Sequence, residues 1–246
     1  MGFLVRPAAF CCARVVSGVL VALAAQAVVA QGAGAEGPRV GSVLAAAKQA
    51  IVKQSGVHLV AVAKSSDPSK TETVVGDLGA NRGHETISEA KSSVKIIVTP
   101  TVAYLAGNYS GLTGIVGVSP AEARKIGVDW VSVKVGSAQY AGVASGVTIA
   151  ALTAVLPNAE GTALSTEGTK GSKVYVLKWT TAATSSAPKL ARTLTLSAAG
   201  PTLPVEQIST SSDGSSESAT FSKWGEPVSV RPPPARATVP FSKIAG

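Results

Sequence analysis

Apolar residues recur at helical spacing at Val40, Val43, Leu44, Ala47 and Ile51, while Lys48 and Lys53 fall elsewhere around the same turns. Residues 40–54 are therefore expected as an amphipathic helix, ended by Ser55-Gly56. Val57–Ala63 reads as a strand. From there to about residue 108, strand-like runs alternate with turn signals at Asp67-Pro68, Gly76, Asn81-Arg82-Gly83 and Thr99-Pro100. Lys95–Thr99 and Val102–Leu105 are rich in β-branched and apolar residues, so this region is expected as an antiparallel meander.

The pattern then changes. Ser119-Pro120-Ala121-Glu122 has the form of a capping box with proline at the first helical position, and Gly127 is expected to stop that helix. Asp129–Val133 reads as a short strand. A second helix is expected over Thr148–Leu156, with Ile149, Leu152 and Leu156 on one face and Pro157 closing it. Gly161–Gly171 reads as a loop. In Arg192–Ser197, Leu194 and Leu196 alternate with Thr193, Thr195 and Ser197, the period of a strand with one buried face. Lys173–Trp179 and Ser216–Ser222 are similar, and Ser211-Ser212-Asp213-Gly214 is a hairpin turn. Arg231-Pro232-Pro233-Pro234 is expected to end the sheet, because proline cannot donate to a ladder, and to leave an extended tail. Strands that come in groups rather than alternating with helices predict an α+β fold with an antiparallel sheet. A large sheet with helices against one face is a common way to enclose an apolar cavity.

Composition narrows the class. Apolar residues make up 46% of the 246 but aromatics only 4%, so the core must be built from Val, Ala, Leu and Ile. The N-terminal region has the layout of a secretory signal: Arg6 and Arg14, the apolar run Val15–Ala30, then small-x-small cleavage candidates such as Val28-Val29-Ala30 and Ala33-Gly34-Ala35. Residues 1–35 are accordingly read as signal and linker, and 36–246 as one domain. The run is shorter than the roughly 20 residues of a membrane span, so an uncleaved signal anchor is the secondary expectation. Cys11 and Cys12 precede the run and no cysteine follows it. A lipobox, a disulfide, a thiolate metal site and a cysteine nucleophile are thereby excluded from the mature chain.

The net charge is +8, with no run of consecutive Lys or Arg. Nucleic-acid binding is not expected from basic residues so scattered, but a positive balance suits contact with anionic lipid headgroups at a membrane surface. His84-Glu85 begins like H-E-x-x-H, yet position 88 is Ser, so zinc is not expected. Gly142-Val143-Ala144-Ser145-Gly146 lacks the spacing of a serine-hydrolase elbow. Gly32-Ala33-Gly34-Ala35-Glu36-Gly37 matches a dinucleotide fingerprint but follows a leader rather than a strand. No catalytic residue, metal or cofactor is expected. His58, His84, Asp77, Glu85, Glu89, Asp129 and Glu160 read as surface or half-buried residues, and Trp130, Trp179 and Trp224 as packing residues.

Three segments carry a resemblance: Ala103–Asn108 with Ser119–Ala123 and Asp129–Val133, Pro201–Val205, and Ala219–Val230 followed by prolines. Over roughly residues 40–242 the chain resembles actinobacterial LolA-like and LppX/LprG-like exported proteins. The resemblance implies a large curved antiparallel sheet forming an unclosed half-barrel, with helices on its concave face. It also implies a cavity for a lipid, acylated or glycolipid ligand moved within the cell envelope. Many members are lipoproteins; this chain departs from them in lacking the acceptor cysteine. A secreted or envelope-located monomer that binds an apolar ligand is the resulting expectation, with a protein-binding or scaffolding module of filled core as the alternative. The expected lining is Leu59, Ile97, Leu105, Ile149, Leu152, Leu156, Val176, Leu194 and Leu196.

Overall fold

The computed structural model describes residues 38–244 apart from 68–69, 170–171 and 185–187. The expected signal segment lies outside the described residues. Helix α1 (Val40–Val52) leads into a meander of β1 (Gly56–Lys64), β2 (Thr71–Gly79), β3 (Gly83–Glu89), β4 (Ser92–Val98) and β5 (Val102–Gly107). A helical stretch follows. It contains α2 (Tyr109–Gly111), which runs into a π-helical turn at Leu112–Val116, then α3 (Pro120–Ile126), β6 (Trp130–Lys134), α4 (Ala138–Ala144) and α5 (Ile149–Leu152). The second meander is β7 (Ala163–Glu167), β8 (Val174–Thr181), β9 (Leu190–Ser197), β10 (Pro204–Ser211) and β11 (Ser216–Ser222), and the tail adds β12 (Thr238–Pro240).

Among the described residues, twelve strands form one sheet in the order β12-β6-β5-β4-β3-β2-β1-β11-β10-β9-β8-β7. Two strips of sequence neighbours thus meet where β1 pairs with β11. The sheet is not closed into a barrel: its ends are β12 and β7, both short, which limits the unpaired edge. Side chains alternate between faces, and the inner face is the one the helices cover. It carries Val57, Leu59 and Ala61 on β1, Val94, Ile96 and Val98 on β4, and Leu194 and Leu196 on β9, all buried. Each large aliphatic so buried contributes about 1.5–3 kcal/mol, so a core with few aromatics is sustained by number rather than size.

The α+β class and the two groups of strands agree with the sequence pattern. Three boundaries do not. The prolines at 232–234 do not end the sheet: the chain passes them and returns as β12, pairing in parallel with β6 from Thr238↔Trp130 to Pro240↔Ser132. Ile244 beyond it is buried in the core. The stretch Gly161–Gly171 is not wholly a loop, because Ala163–Glu167 pairs with β8 as an edge strand. The helix expected over Thr148–Leu156 is cut short. The Thr148 hydroxyl donates back to Ala144 O rather than capping, and after Leu152 the chain tightens into a 3-10 turn that leaves Leu156 extended.

The start of α3 conforms to its sequence. Ser119 Oγ accepts from the Glu122 amide at 3.2 Å, and Glu122 Oε2 accepts from the Ser119 amide at 2.8 Å. Gly127 then leaves the helix at φ +59° and ψ −116°, a combination open to glycine. Ser119→Ala removes the side-chain half of this box and is expected to cost about 1 kcal/mol in urea unfolding, whereas Ser119→Asp retains the cap and most of that stability.

Candidate functional site

The inner face divides into two apolar clusters. The larger spans β1 to β6 and the short helices, and includes Leu59, Val74, Ile96, Leu105, Ile149 and Leu152. The smaller lies under α1, where Val43, Leu44 and Ala47 pack on Leu177, Leu194 and Leu196. Periodicity fixes that contact, since the three residues belong to the stripe read from the sequence, whose last member, Ile51, is buried in the larger cluster. Leu156 packs against both clusters and lies over their junction.

Between the clusters, β10 turns a polar set inward. Gln207, Ser209 and Ser211 are all buried. Cross-strand register places Gln207 between Leu194 of the smaller cluster and Ala219 of the larger. The same row continues through Ala61, so small side chains form the floor beside Gln207. Gln207 Oε1 has no hydrogen-bond partner, nor does Arg192 Nε on the adjoining strand, opposite Ser209. Burying a polar atom unpaired costs on the order of 1–3 kcal/mol, so such atoms call for a reason.

Glu85 is the most anomalous residue of the face. Contrary to its reading as a surface carboxylate, it is 2% exposed. Strand alternation puts it on the side of Gly83 and Ile87 and opposite Gly76 and Ile96, inside the larger cluster. A Cβ at position 76 would come within 2.9 Å of the Glu85 Cβ, so glycine there makes room for it. Glu85 Oε2 has no partner. Burial, reinforced by the charge of Glu72, raises its pKa from 4.5 to about 8, so the carboxyl is neutral in the folded protein at pH 7.

Between the short helices and β5–β6 a void bounded by Leu105, Leu112, Val131 and Val143 measures about 10 Å³, roughly the room of one water. Of the residues expected to line a cavity, Leu59, Leu105, Ile149 and Leu152 lie together in the larger cluster, Leu194 and Leu196 in the smaller, and Leu156 at the junction. Two are placed elsewhere. Ile97 alternates with the inward Ile96 and Val98 and pairs with His84 and Tyr104 on the outer face. Val176 is buried but alternates with the inward Leu177, so it faces away from α1.

The outer face carries the two histidines. His58 Nδ1 lies 2.6 Å from Asp77 Oδ1, and His84 Nε2 lies 3.4 Å from Asp77 Oδ2. Adjacent strands β1, β2 and β3 bring these three into one row, a juxtaposition that residues 58 and 84 alone did not signal. Among the described residues, no group of three or more His, Cys, Asp or Glu side chains is arranged to hold a metal ion. Of the tryptophans, Trp224 donates from Nε1 to Pro204 O at 2.8 Å and packs near Phe221, and Trp179 packs on the smaller cluster.

No family model matches the chain, and no curated protein matches it in sequence. Among solved structures it is similar to the Mycobacterium tuberculosis lipoprotein LppX, with 17% identity and a TM-score of 0.45 over 78% of this chain and 99% of that one. It is also similar to LprF from Mycobacterium bovis, with 16% identity and a TM-score of 0.47 over 79% of this chain and 96% of that one. The type of protein that the sequence resembles therefore recurs among its structural neighbours.

The Glu85 environment fixes a pH dependence. Its folded pKa lies above the unfolded one, so its contribution to stability is fully present below about pH 4.5 and is lost as pH rises through about 8. Relative to Glu85→Gln, the wild-type unfolding free energy should fall across this interval with a slope approaching about 1.4 kcal/mol per pH unit, then level off. Urea titrations of both proteins from pH 5 to pH 9 check this, and parallel profiles would contradict a buried neutral acid.

Proposed function

We propose that this is an exported, non-catalytic protein that holds a lipid or other apolar ligand between its sheet and helices and carries it within the cell envelope. The observation behind this reading is the division of one inner face into two apolar clusters, one of them covered by α1. A 13-residue helix is marginal on its own in water. What holds α1 in place is Val43, Leu44 and Ala47 on Leu177, Leu194 and Leu196, together with Ile51 buried in the larger cluster. An acyl chain offers those leucines the same kind of contact, so displacement of α1 exposes a strip that a ligand can take over at little net cost. Because Leu59, Leu152, Leu194 and Leu196 are fully covered, uptake requires that α1 or the short helices move.

Leu59, Leu105, Ile149, Leu152, Leu156, Leu194 and Leu196 are the residues proposed to meet the ligand. The leader-like N-terminus supports export. Among the described residues no helix is long and apolar enough to cross a membrane. The positive balance suits transient contact with an anionic bilayer surface. The complete burial of Leu59, Leu152, Leu194 and Leu196 favours a second reading, a protein-binding or scaffolding module with no small ligand.

Native mass spectrometry of the protein secreted from an actinobacterial host, followed by organic extraction, distinguishes the two. A co-purifying lipid near one per chain is expected, as is uptake of a fluorescent fatty acid by delipidated protein. Lipid-free protein that also takes up no probe would favour the scaffolding reading.

A further inference from the structure

Three buried side-chain atoms without hydrogen-bond partners lie on the two inner-face strips: Glu85 Oε2, Gln207 Oε1 and Arg192 Nε. None sits on a loop; strand register fixes all three residues. Gln207 is 5% exposed, and it stands on the strand that separates the two apolar clusters. Arg192 is on the adjacent strand, two residues from Leu194, the cross-strand partner of Gln207, and so is its diagonal neighbour on the same face. The floor next to them is made of Ala219 and Ala61, side chains of a single methyl group.

The chemistry of these atoms is restrictive. Gln207 Oε1 only accepts and Arg192 Nε only donates. Hydrocarbon satisfies neither. An ester or ketone carbonyl satisfies the arginine and leaves the glutamine unpaired. A hydroxyl donates to one and accepts from the other. The carboxyl of Glu85 is likewise suited to a hydroxyl, in either direction of donation. Resting on the reading that this face takes an apolar ligand, we infer that the ligand is a hydroxyl-bearing acyl lipid. Its hydroxyl group is seated at the Gln207–Arg192 junction, with Glu85 as a second polar seat along the same face. Selection then comes from polar atoms that a fully esterified or plain hydrocarbon ligand would leave unpaired, the kind of discrimination that apolar contact alone supplies poorly.

The test is displacement of 11-dansylaminoundecanoic acid from delipidated full-length mature protein at pH 7 by monooleoylglycerol and by methyl oleate, which share an oleoyl ester and differ in its alcohol part, a dihydroxypropyl group against a methyl group. Wild type is expected to prefer the monoglyceride by about tenfold, the order set by one unpaired buried polar group. Gln207→Leu or Gln207→Met should reduce that preference to below about threefold while methyl oleate binds as well as before or better. Circular dichroism and thermal unfolding show whether each variant is folded. Equal displacement by both lipids in wild type, or a preference unchanged in both variants, overturns the inference while leaving the ligand-binding reading in place. Failure of the protein to bind the dansyl probe or either lipid defeats that reading itself.

Discussion

Seven cross-strand pairs, from His58↔Ser222 to Lys64↔Ser216, hold the two meanders in one sheet. Each meander is built from neighbours in sequence, so its own pairings are local. The β1–β11 ladder joins segments about 160 residues apart and sets the phase of one strip against the other. A slip of one residue there would turn Leu59 and Ala61 outward relative to Ala219 and Phe221. The inner face would then cease to be continuous, and the α1-covered leucines would lose their relation to the larger cluster.

On that continuous face, polar residues occur where a core would not place them. Strand β10 presents Gln207, Ser209 and Ser211, and β3 presents Glu85. Replacing each with an aliphatic of similar size would leave the strand pattern intact and add apolar burial. Local choices that run against the surrounding pattern cluster at working sites in proteins generally. The seam of β10 and the glycine that admits Glu85 are where the fold departs from plain aliphatic packing.

Legibility from sequence followed how local each cause was. The cap of α3 was readable because Ser119 and Glu122 satisfy each other within one turn. The α1 stripe and the Leu194/Leu196 alternation were readable because each element states its own period. Ile97 and Val176 were misplaced because each sits beside a second aliphatic, Ile96 and Leu177, so alternation has two equal phases until the paired strands choose one. Glu85 reads as solvent-facing by type; its inward position follows from Gly76 across the strand and from Ile87 two residues on. The edge strand β7 was hidden by its exposed residues, and β12 by a proline flank and a partner more than 100 residues earlier. The row of His58, Asp77 and His84 depends on three strands in register, which no spacing along the chain displays.

The order of strands also constrains how the molecule comes into being. Strand β1 is among the first elements made, yet the partner for its free side, β11, ends at Ser222. Throughout synthesis of the intervening chain, one edge of an apolar strand stands open, able to pair with another copy. Lys64 and the glycine that starts β1 are slight guards for such an edge. A chain that must wait this long for its closing partner benefits from being kept unfolded until all of it is present, and passage across a membrane in extended form would impose that delay.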